Sequence, residues 1–169
     1  MKTGYRFVWL FAPAAVIIHF MVISSFLRPA DAQNLDLHEV TNAQYMLFVK
    51  ATGQAPPEHW SQGEYPPGTA KDPVVLVNWY EAVQYCRWDG NKRLPSAQEW
   101  QGSCTAGKIQ KLGDVWEWTT TELEGEGAKI LCGPQGTCEC THFYQPSWKN
   151  MVKGFRCQGS SPMAMRELP

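Results

Sequence analysis

The sequence lacks an excess of charge of either sign and has no run of Lys or Arg. Its 15 basic and 16 acidic residues give a formal net charge of −1 over 169 residues. The absence of a basic patch argues against a nucleic-acid partner. A composition of 44% hydrophobic and 18% charged residues, with eight Trp, is that of a folded chain rather than a disordered one. The length suffices for one domain and a targeting segment.

The common local signatures of catalysis are also absent. His38, His59 and His142 are dispersed, without the H-x-x-x-H or H-E-x-x-H spacing that indicates a zinc site. The sequence has no Gly-rich phosphate loop, no Ser nucleophile elbow and no arguable pair of catalytic carboxylates. Functional signals must therefore come from the N-terminus and from the cysteines.

A long apolar run near the N-terminus indicates export. Two basic residues precede an apolar run over residues 7–27, and Ala30 and Ala32 form a small-x-small cleavage pattern. The run is also long enough to span a bilayer. Residues 1–32 are therefore either a signal peptide or a retained membrane anchor. Either interpretation places residues 33–169 outside the cytoplasm, in the periplasm or secreted, with the membrane contacted only through an uncleaved N-terminal segment.

All six cysteines follow the export segment: Cys86, Cys104, Cys132, Cys138, Cys140 and Cys157. An even number of cysteines in an oxidising compartment predicts up to three disulfide bonds. The count alone leaves about 15 pairings open.

Three capping boxes predict three helices. Thr41 with Gln44 begins a helix over about residues 42–51, which Gly53 ends. Asn78 begins a second helix that ends near residues 89–90, and Ser96 begins a third.

Short strands and long loops account for the remainder of the chain. Alternating or apolar patterns predict strands at 115–119, 129–132 and 154–157, and a buried strand or extended segment at 73–77. A Pro-rich loop over residues 56–71 contains Trp60 and Tyr65, which we expect to hold the loop to the body. The polar tail from 159 to 169 is expected to be flexible. The sequence has no internal repeat, and the class is α+β.

Five motifs, in this order, resemble the formylglycine-generating (sulfatase-modifying) enzyme family. They are residues 39–42 (EVTN), 73–79 with 82–86 (PVVLVNW and AVQYC), 92–100 (KRLPSAQEW), 113–119 (GDVWEWT) and 154–157 (GFRC). The resemblance implies a sulfatase-modifying-factor-like domain over residues 33–158. Its α+β fold would be related to that of C-type lectins. It would contain little regular secondary structure and would be cross-linked by disulfide bonds.

The resemblance also implies how four cysteines pair. Cys86 would pair with Cys157, and Cys104 with Cys138, while Cys140 stays an alternative partner for Cys104. Each bond would stabilise the fold by roughly 3–4 kcal/mol through the unfolded state.

The family's catalytic centre is a further pair of cysteines, which follow an R-G-G-S segment and bind copper(I) as thiolates. In this chain residues 129–140 contain no R-G-G-S segment, and the cysteine spacing differs. Cys132, with Cys138 or Cys140, is interpreted as a third disulfide. A copper(I) dithiolate and a redox-active disulfide are the alternatives for the same cysteines.

A calcium site is implied at Gln110, Gly113, Val115 and Glu117. Gln110 stands where the family has Asn or Asp, so an uncharged amide would bind calcium more weakly. The alternative is that Glu117 is a buried and paired carboxylate, for which Arg93 is the expected partner.

The departures from the family favour a domain that has lost catalysis. Only residues 102–112 stand where the family has a long insertion that forms part of the substrate groove. We interpret the chain as an exported accessory subunit or binding module of an envelope protein or complex, with Trp60 and Tyr65 of the 56–71 loop as the candidate binding face. The alternatives are a copper-dependent oxidase that acts on a protein cysteine, and a thiol–disulfide role.

Overall fold

Three helices follow one another in the first part of the chain, and each begins at a capping box. The computed structural model describes residues 34–134 and 136–159. Within them, α1 spans Asn42–Thr52, α2 Trp79–Trp88 and α3 Ala97–Thr105. In each helix the N-cap side chain accepts a hydrogen bond from the backbone amide of the residue three positions later. The side chain of that later residue accepts a hydrogen bond from the N-cap backbone amide in return. The three predicted helix starts are confirmed. The predicted export segment and the tail from residue 160 lie outside the described residues.

Four short strands form one mixed sheet. These strands are β1 (Trp116–Glu122), β2 (Lys129–Cys132), β3 (His142–Tyr144) and β4 (Lys153–Gly154), in the order β3-β2-β1-β4. β2 pairs antiparallel with both β1 and β3, whereas β1 pairs parallel with β4. Within the described part of the chain, no helix is long and apolar enough to cross a membrane.

The strand predicted at 154–157 is shorter than expected, and β3 was not predicted. Only Gly154 pairs in the sheet, because the next residues bond to the N-terminal segment instead. The Val40 amide donates to the Phe155 carbonyl, and the Asp36 amide to the Cys157 carbonyl, both at 2.8 Å. The start of the predicted segment 73–77 joins the same layer, where Pro73 bridges to Thr41 and the Val74 amide donates to the Val40 carbonyl, whereas Leu76 bends away with a φ of 59°. The two ends of the described chain are thereby held together.

Aromatic rings fill the core between α1, α2 and the segment that follows β4. Tyr45 stacks on Tyr85 with ring centroids 5.6 Å apart, and Phe155 meets both rings edge-on. Edge-to-face and offset contacts of this kind stabilise a core beyond the area that they bury. Trp118 is fully buried, and its indole donates to the Val77 carbonyl at 3.0 Å.

Three disulfide bonds connect these elements. Cys86 in α2 is bonded to Cys157, Cys104 in α3 to Cys138, and Cys132 in β2 to Cys140. The domain is therefore α+β, with short strands and cross-links that offset its scarcity of regular structure. Three disulfides indicate an oxidising environment.

Candidate functional site

Two of the disulfides contact α3, the Cys132–Cys140 bond at its N-terminal end and the Cys104–Cys138 bond at its C-terminal end. The Sγ atoms of Cys132 and Cys140 are 4.0 and 3.6 Å from the Ala97 carbonyl oxygen. The Gln101 side chain donates to the Cys138 carbonyl at 3.0 Å, which ties the second disulfide to the same helix. Cys132 is fully buried, whereas Cys140 is half-buried. This cluster occupies the region that the resemblance assigns to catalysis.

None of the six cysteines is free. Copper(I) is held by thiolates, which are anionic and soft, and a disulfide sulfur has given up that charge. The sulfurs present therefore do not fit a copper(I) ion while Cys132 and Cys140 are bonded. In this arrangement the cluster acts as a cross-link between α3, β2 and the loop after β2.

A buried ion pair is the second candidate site. Arg156 donates from Nε to Glu117 Oε2 at 2.6 Å and from Nη2 to Oε1 at 2.9 Å, and both side chains are 0% exposed. The other donors of Arg156 reach the carbonyls of Asp36, Leu37 and Gln110. All five guanidinium N–H groups are thus used, as a buried charge requires.

The predicted pairing of Arg93 with Glu117 is wrong. Arg93 instead forms a bidentate ion pair with Glu99, whose carboxylate also accepts from the Ser96 amide in the α3 capping box. Its side chain is 50% exposed, so it lies at the surface and cannot reach the interior. The arginine that holds Glu117 comes from the GFRC motif.

Glu39 and Lys111 complete the buried charge cluster. Glu39 Oε2 accepts from the Leu112 amide at 2.9 Å and lies 3.4 Å from Arg156 Nη2. Lys111 Nζ lies 3.8 Å from Glu117 Oε1 and 5.0 Å from the centroid of the Trp100 ring. Burial, together with the charge of Glu117, raises the pKa of Glu39. Burial lowers the pKa of Lys111, although the two carboxylates act in the opposite direction. Two acids and two bases share one interior volume.

The residues predicted to bind calcium do not fit that ion in this arrangement. Both oxygens of Glu117 already accept from Arg156, and so does the Gln110 carbonyl. Gly113 packs on Pro73 so tightly that a Cβ would lie 2.8 Å from Pro73 Cγ. Two cationic side chains next to Glu117 would also repel a divalent cation. Among the described residues, no group of three or more His, Cys, Asp or Glu could hold a metal ion.

Three members of the charge cluster were not predicted as site residues: Glu39, Lys111 and Arg156. Glu39 and Arg156 both stand inside recognised motifs, next to apolar residues that are themselves buried. A charged residue among buried apolar neighbours is expected to be paired with an opposite charge. The sequence therefore contained a signal that could have identified Glu39 and Arg156. Lys111 carries no such signal, because its position follows only from the fold of the loop before β1.

The predicted binding face is wrong for Trp60. This ring is only 5% exposed and packs edge-on against Tyr45 and Tyr65. Tyr65 is half-buried and rests on Trp60. The two rings hold the 56–71 loop to the core, and burial removes Trp60 from contact with a partner.

A polar cavity of about 370 Å³ lies between the N-terminal segment and α2. Its charged lining is internally paired, because Lys92 Nζ contacts Asp36 at 2.8 Å and Asp89 at 2.9 Å. Two further lining residues carry buried polar atoms that have no hydrogen-bond partner among the described residues, His38 Nδ1 and Glu39 Oε1.

Fold and site together define a disulfide-linked α+β domain of the formylglycine-generating-enzyme type. Residues 30–112 match the family described as the sulfatase-modifying factor enzyme 1-like domain. The chain therefore carries a sulfatase-modifying-factor-like domain, in agreement with the motif order. Three of the five motifs lie wholly within the matched residues, and the other two follow them.

Several curated proteins are similar to part of the chain. Serine/threonine-protein kinase Pkn1 of Chlamydia trachomatis serovar L2 is 39% identical over 90 residues, covering 44% of this chain and 14% of the kinase. The formylglycine-generating enzyme of Bos taurus is 30% identical over 123 residues, covering 48% of this chain and 33% of the enzyme. The inactive C-alpha-formylglycine-generating enzyme 2 of Bos taurus is 44% identical over 46 residues, which covers 27% of this chain and 14% of that enzyme. The chain thus spans at most about a third of these relatives.

A solved structure supports the fold over a longer stretch. Treponema denticola variable protein 1 matches with a TM-score of 0.50 and 16% sequence identity. The match covers 76% of this chain and 84% of that chain. At this identity the likeness shows the fold alone.

Proposed function

We propose that the chain is an exported, non-catalytic binding or accessory module of an envelope protein or complex. The observation that carries this proposal is the bond between Cys132 and Cys140. It removes the thiolates on which copper chemistry would depend, and the other four cysteines are bonded as well. A domain whose six cysteines are all bonded can still present loops on a rigid frame.

Two of the similar proteins support a role apart from catalysis. One is named an inactive formylglycine-generating enzyme, so a sequence similar to part of this chain occurs in a protein whose name excludes the activity. Another is named a serine/threonine kinase and contains the similar stretch as 14% of its length. Similar sequence therefore occurs as one part of a larger protein with a different named activity.

Export is proposed on two independent grounds. Three disulfide bonds suit an oxidising compartment, and the N-terminal apolar run over residues 7–27 suits a signal peptide or an anchor. We propose a periplasmic or extracellular location, with membrane attachment when the N-terminal segment is retained.

We further propose that a protein partner contacts the surface formed within residues 143–152. Among the described residues, nine large hydrophobic side chains are exposed, and four of them fall in this short stretch: Phe143, Trp148, Met151 and Val152. Clustered exposed apolar groups mark interaction sites. β3, which contains Phe143, is an edge strand of the sheet, whereas the opposite edge, β4, is buried. We propose that an extended segment of a protein partner pairs with β3 and covers Phe143 together with Trp148, whose ring packs against Tyr144 of the same strand.

The surface proposal is tested in the source cell by cross-linking the full chain. We expect Phe143→Ser with Trp148→Ser to lose the cross-linked complexes that the wild type forms. Leu47→Ser, which changes an exposed residue on α1, is the matched control and should keep them. Equal complexes in the wild type and the double variant would contradict this surface.

The alternative function is a copper-dependent oxidase that converts a protein cysteine to formylglycine. The half-buried position of Cys140 favours it, because a reductant could reach the bond to Cys132 and release both thiols. The two functions therefore differ in the redox state of one cysteine pair.

An activity measurement separates the two functions. The full chain is incubated with copper(I), oxygen and a cysteine-containing peptide, with and without a mild thiol reductant, and the peptide is examined by mass spectrometry. We expect neither stoichiometric copper binding nor peptide oxidation. Copper binding at one equivalent with conversion of the peptide, both lost in the Cys132→Ser, Cys140→Ser double variant, would overturn the non-catalytic proposal.

A further inference from the structure

The amine of Lys111 is an unusual group in the interior of the domain. Its side chain is 9% exposed, and its Nζ is buried with no hydrogen-bond acceptor among the described residues. A buried ammonium is costly unless opposite charge lies close to it. Here the carboxylate of Glu117 lies 3.8 Å away, and the face of Trp100 is turned toward the amine at 5.0 Å.

The surrounding backbone leaves room for this amine. A Cβ on Gly133 would lie 2.6 Å from Lys111 Nζ and 2.8 Å from the Val115 carbonyl oxygen. The amine and this carbonyl therefore border the same small volume, which only a glycine leaves free. Val115 and Glu117 are two of the four residues expected to bind calcium, so the ammonium lies within that ligand set.

The balance of charge favours a single positive charge at this position. Glu39 and Glu117 carry two negative charges, and Arg156 supplies one positive charge. One further positive charge makes the buried cluster neutral, and Lys111 provides it. A calcium ion added to Arg156 and the two carboxylates would leave an excess positive charge, and repulsion from Lys111 would add to it.

We propose that the Lys111 ammonium is a built-in cation that takes the place of the calcium ion implied by the resemblance. In this account the loop before β1 is ordered without a metal. Glu117, which in the family would be a metal ligand, is held by Arg156 and neutralised with the help of Lys111. The inference does not depend on the redox state of the cysteines.

Thermal unfolding of the full chain, with calcium binding by equilibrium dialysis, tests this inference. We expect the wild type to bind no stoichiometric calcium and to keep the same Tm in millimolar calcium and in EGTA. We expect Lys111→Ala to lower the Tm by several degrees and to make it rise with calcium. Lys108→Ala removes an exposed lysine three residues earlier in the chain and is the matched control.

Two results would overturn the inference. One is a wild-type chain that binds one calcium ion and loses Tm in EGTA, a measurement that does not depend on whether Lys111→Ala folds. The other is a Lys111→Ala variant as stable as Lys108→Ala, because the amine would then contribute nothing to the cluster.

Discussion

Arg156 donates two hydrogen bonds to Glu117 inside the protein, at 2.6 Å and 2.9 Å, and neither side chain is exposed. The pair joins the segment after β4 to the centre of β1. Because Arg156 also donates to carbonyls of the N-terminal segment, one guanidinium connects three parts of the chain. This arrangement assigns Glu117 a structural role and leads to the first prediction.

Arg156→Met should destabilise the domain by roughly 3–5 kcal/mol, because it leaves buried carboxylates without their partner. Denaturant unfolding measures the loss. Lys50→Ala is the control, because it breaks an exposed pair with Glu64 and should change stability by less than about 0.5 kcal/mol. A change below about 1 kcal/mol in Arg156→Met would contradict the structural role of the pair.

Acid should weaken the domain through Glu99. The hydrogen bonds from Arg93, aided by the Ser96 amide, lower the pKa of Glu99 from 4.5 to about 2. Between these two values the unfolded chain binds more protons than the folded one, so stability is complete above pH 4.5 and falls as the pH drops toward 2.

Glu99→Gln should therefore flatten the decline of unfolding free energy in that pH window. Stability is measured by urea unfolding at a series of pH values, with Glu124→Gln, which removes an exposed carboxylate, as the control. An unchanged slope in Glu99→Gln would show that the pair with Arg93 contributes nothing.

Two tryptophans should respond differently to truncation. Trp60→Ala should cost roughly 3–5 kcal/mol, because the ring is in the core. Trp148 is 56% exposed, so Trp148→Ala should change stability by less than about 1 kcal/mol. Denaturant unfolding compares them. Equal costs would contradict the assignment of Trp60 to the core and of Trp148 to the surface.

The disulfides should differ in the stability that they contribute. The bond from Cys86 to Cys157 spans 71 residues, whereas the bond from Cys132 to Cys140 spans 8. Loop-closure entropy predicts losses of roughly 4.4 and roughly 2.5 kcal/mol when each is replaced by a pair of alanines. Equilibrium unfolding of the two double variants checks the order, and a larger loss for the shorter bond would contradict this account.

The local features of the fold could be predicted from the residues themselves, whereas the long-range pairings of Cys86 with Cys157 and of Cys104 with Cys138 were predicted only through the family resemblance. Thr41, Asn78 and Ser96 each identify the start of a helix. The capping box that gives the signal is a local interaction confined to four consecutive residues. β3 escaped prediction because its three residues are partly exposed and show no alternation.

The candidate site was harder to predict than the helices. A paired carboxylate was the alternative to a calcium ligand at Glu117, and its partner lies 39 positions away, so only the fold decides which arginine reaches it. Trp60 was expected both to hold its loop to the body and to form a binding face, and only the first expectation agrees with a ring that is 5% exposed. Sequence patterns specify the chemistry of a residue more readily than its surroundings.

The state of the cysteines tests the central claim most directly. The full chain is purified from an oxidising compartment, its free thiols are alkylated before digestion, and its peptides are mapped by mass spectrometry. The account predicts no alkylation, with Cys132 bonded to Cys140 and Cys104 to Cys138. Alkylation of two of the three residues Cys132, Cys138 and Cys140 would contradict it, because those thiols would be free to bind copper.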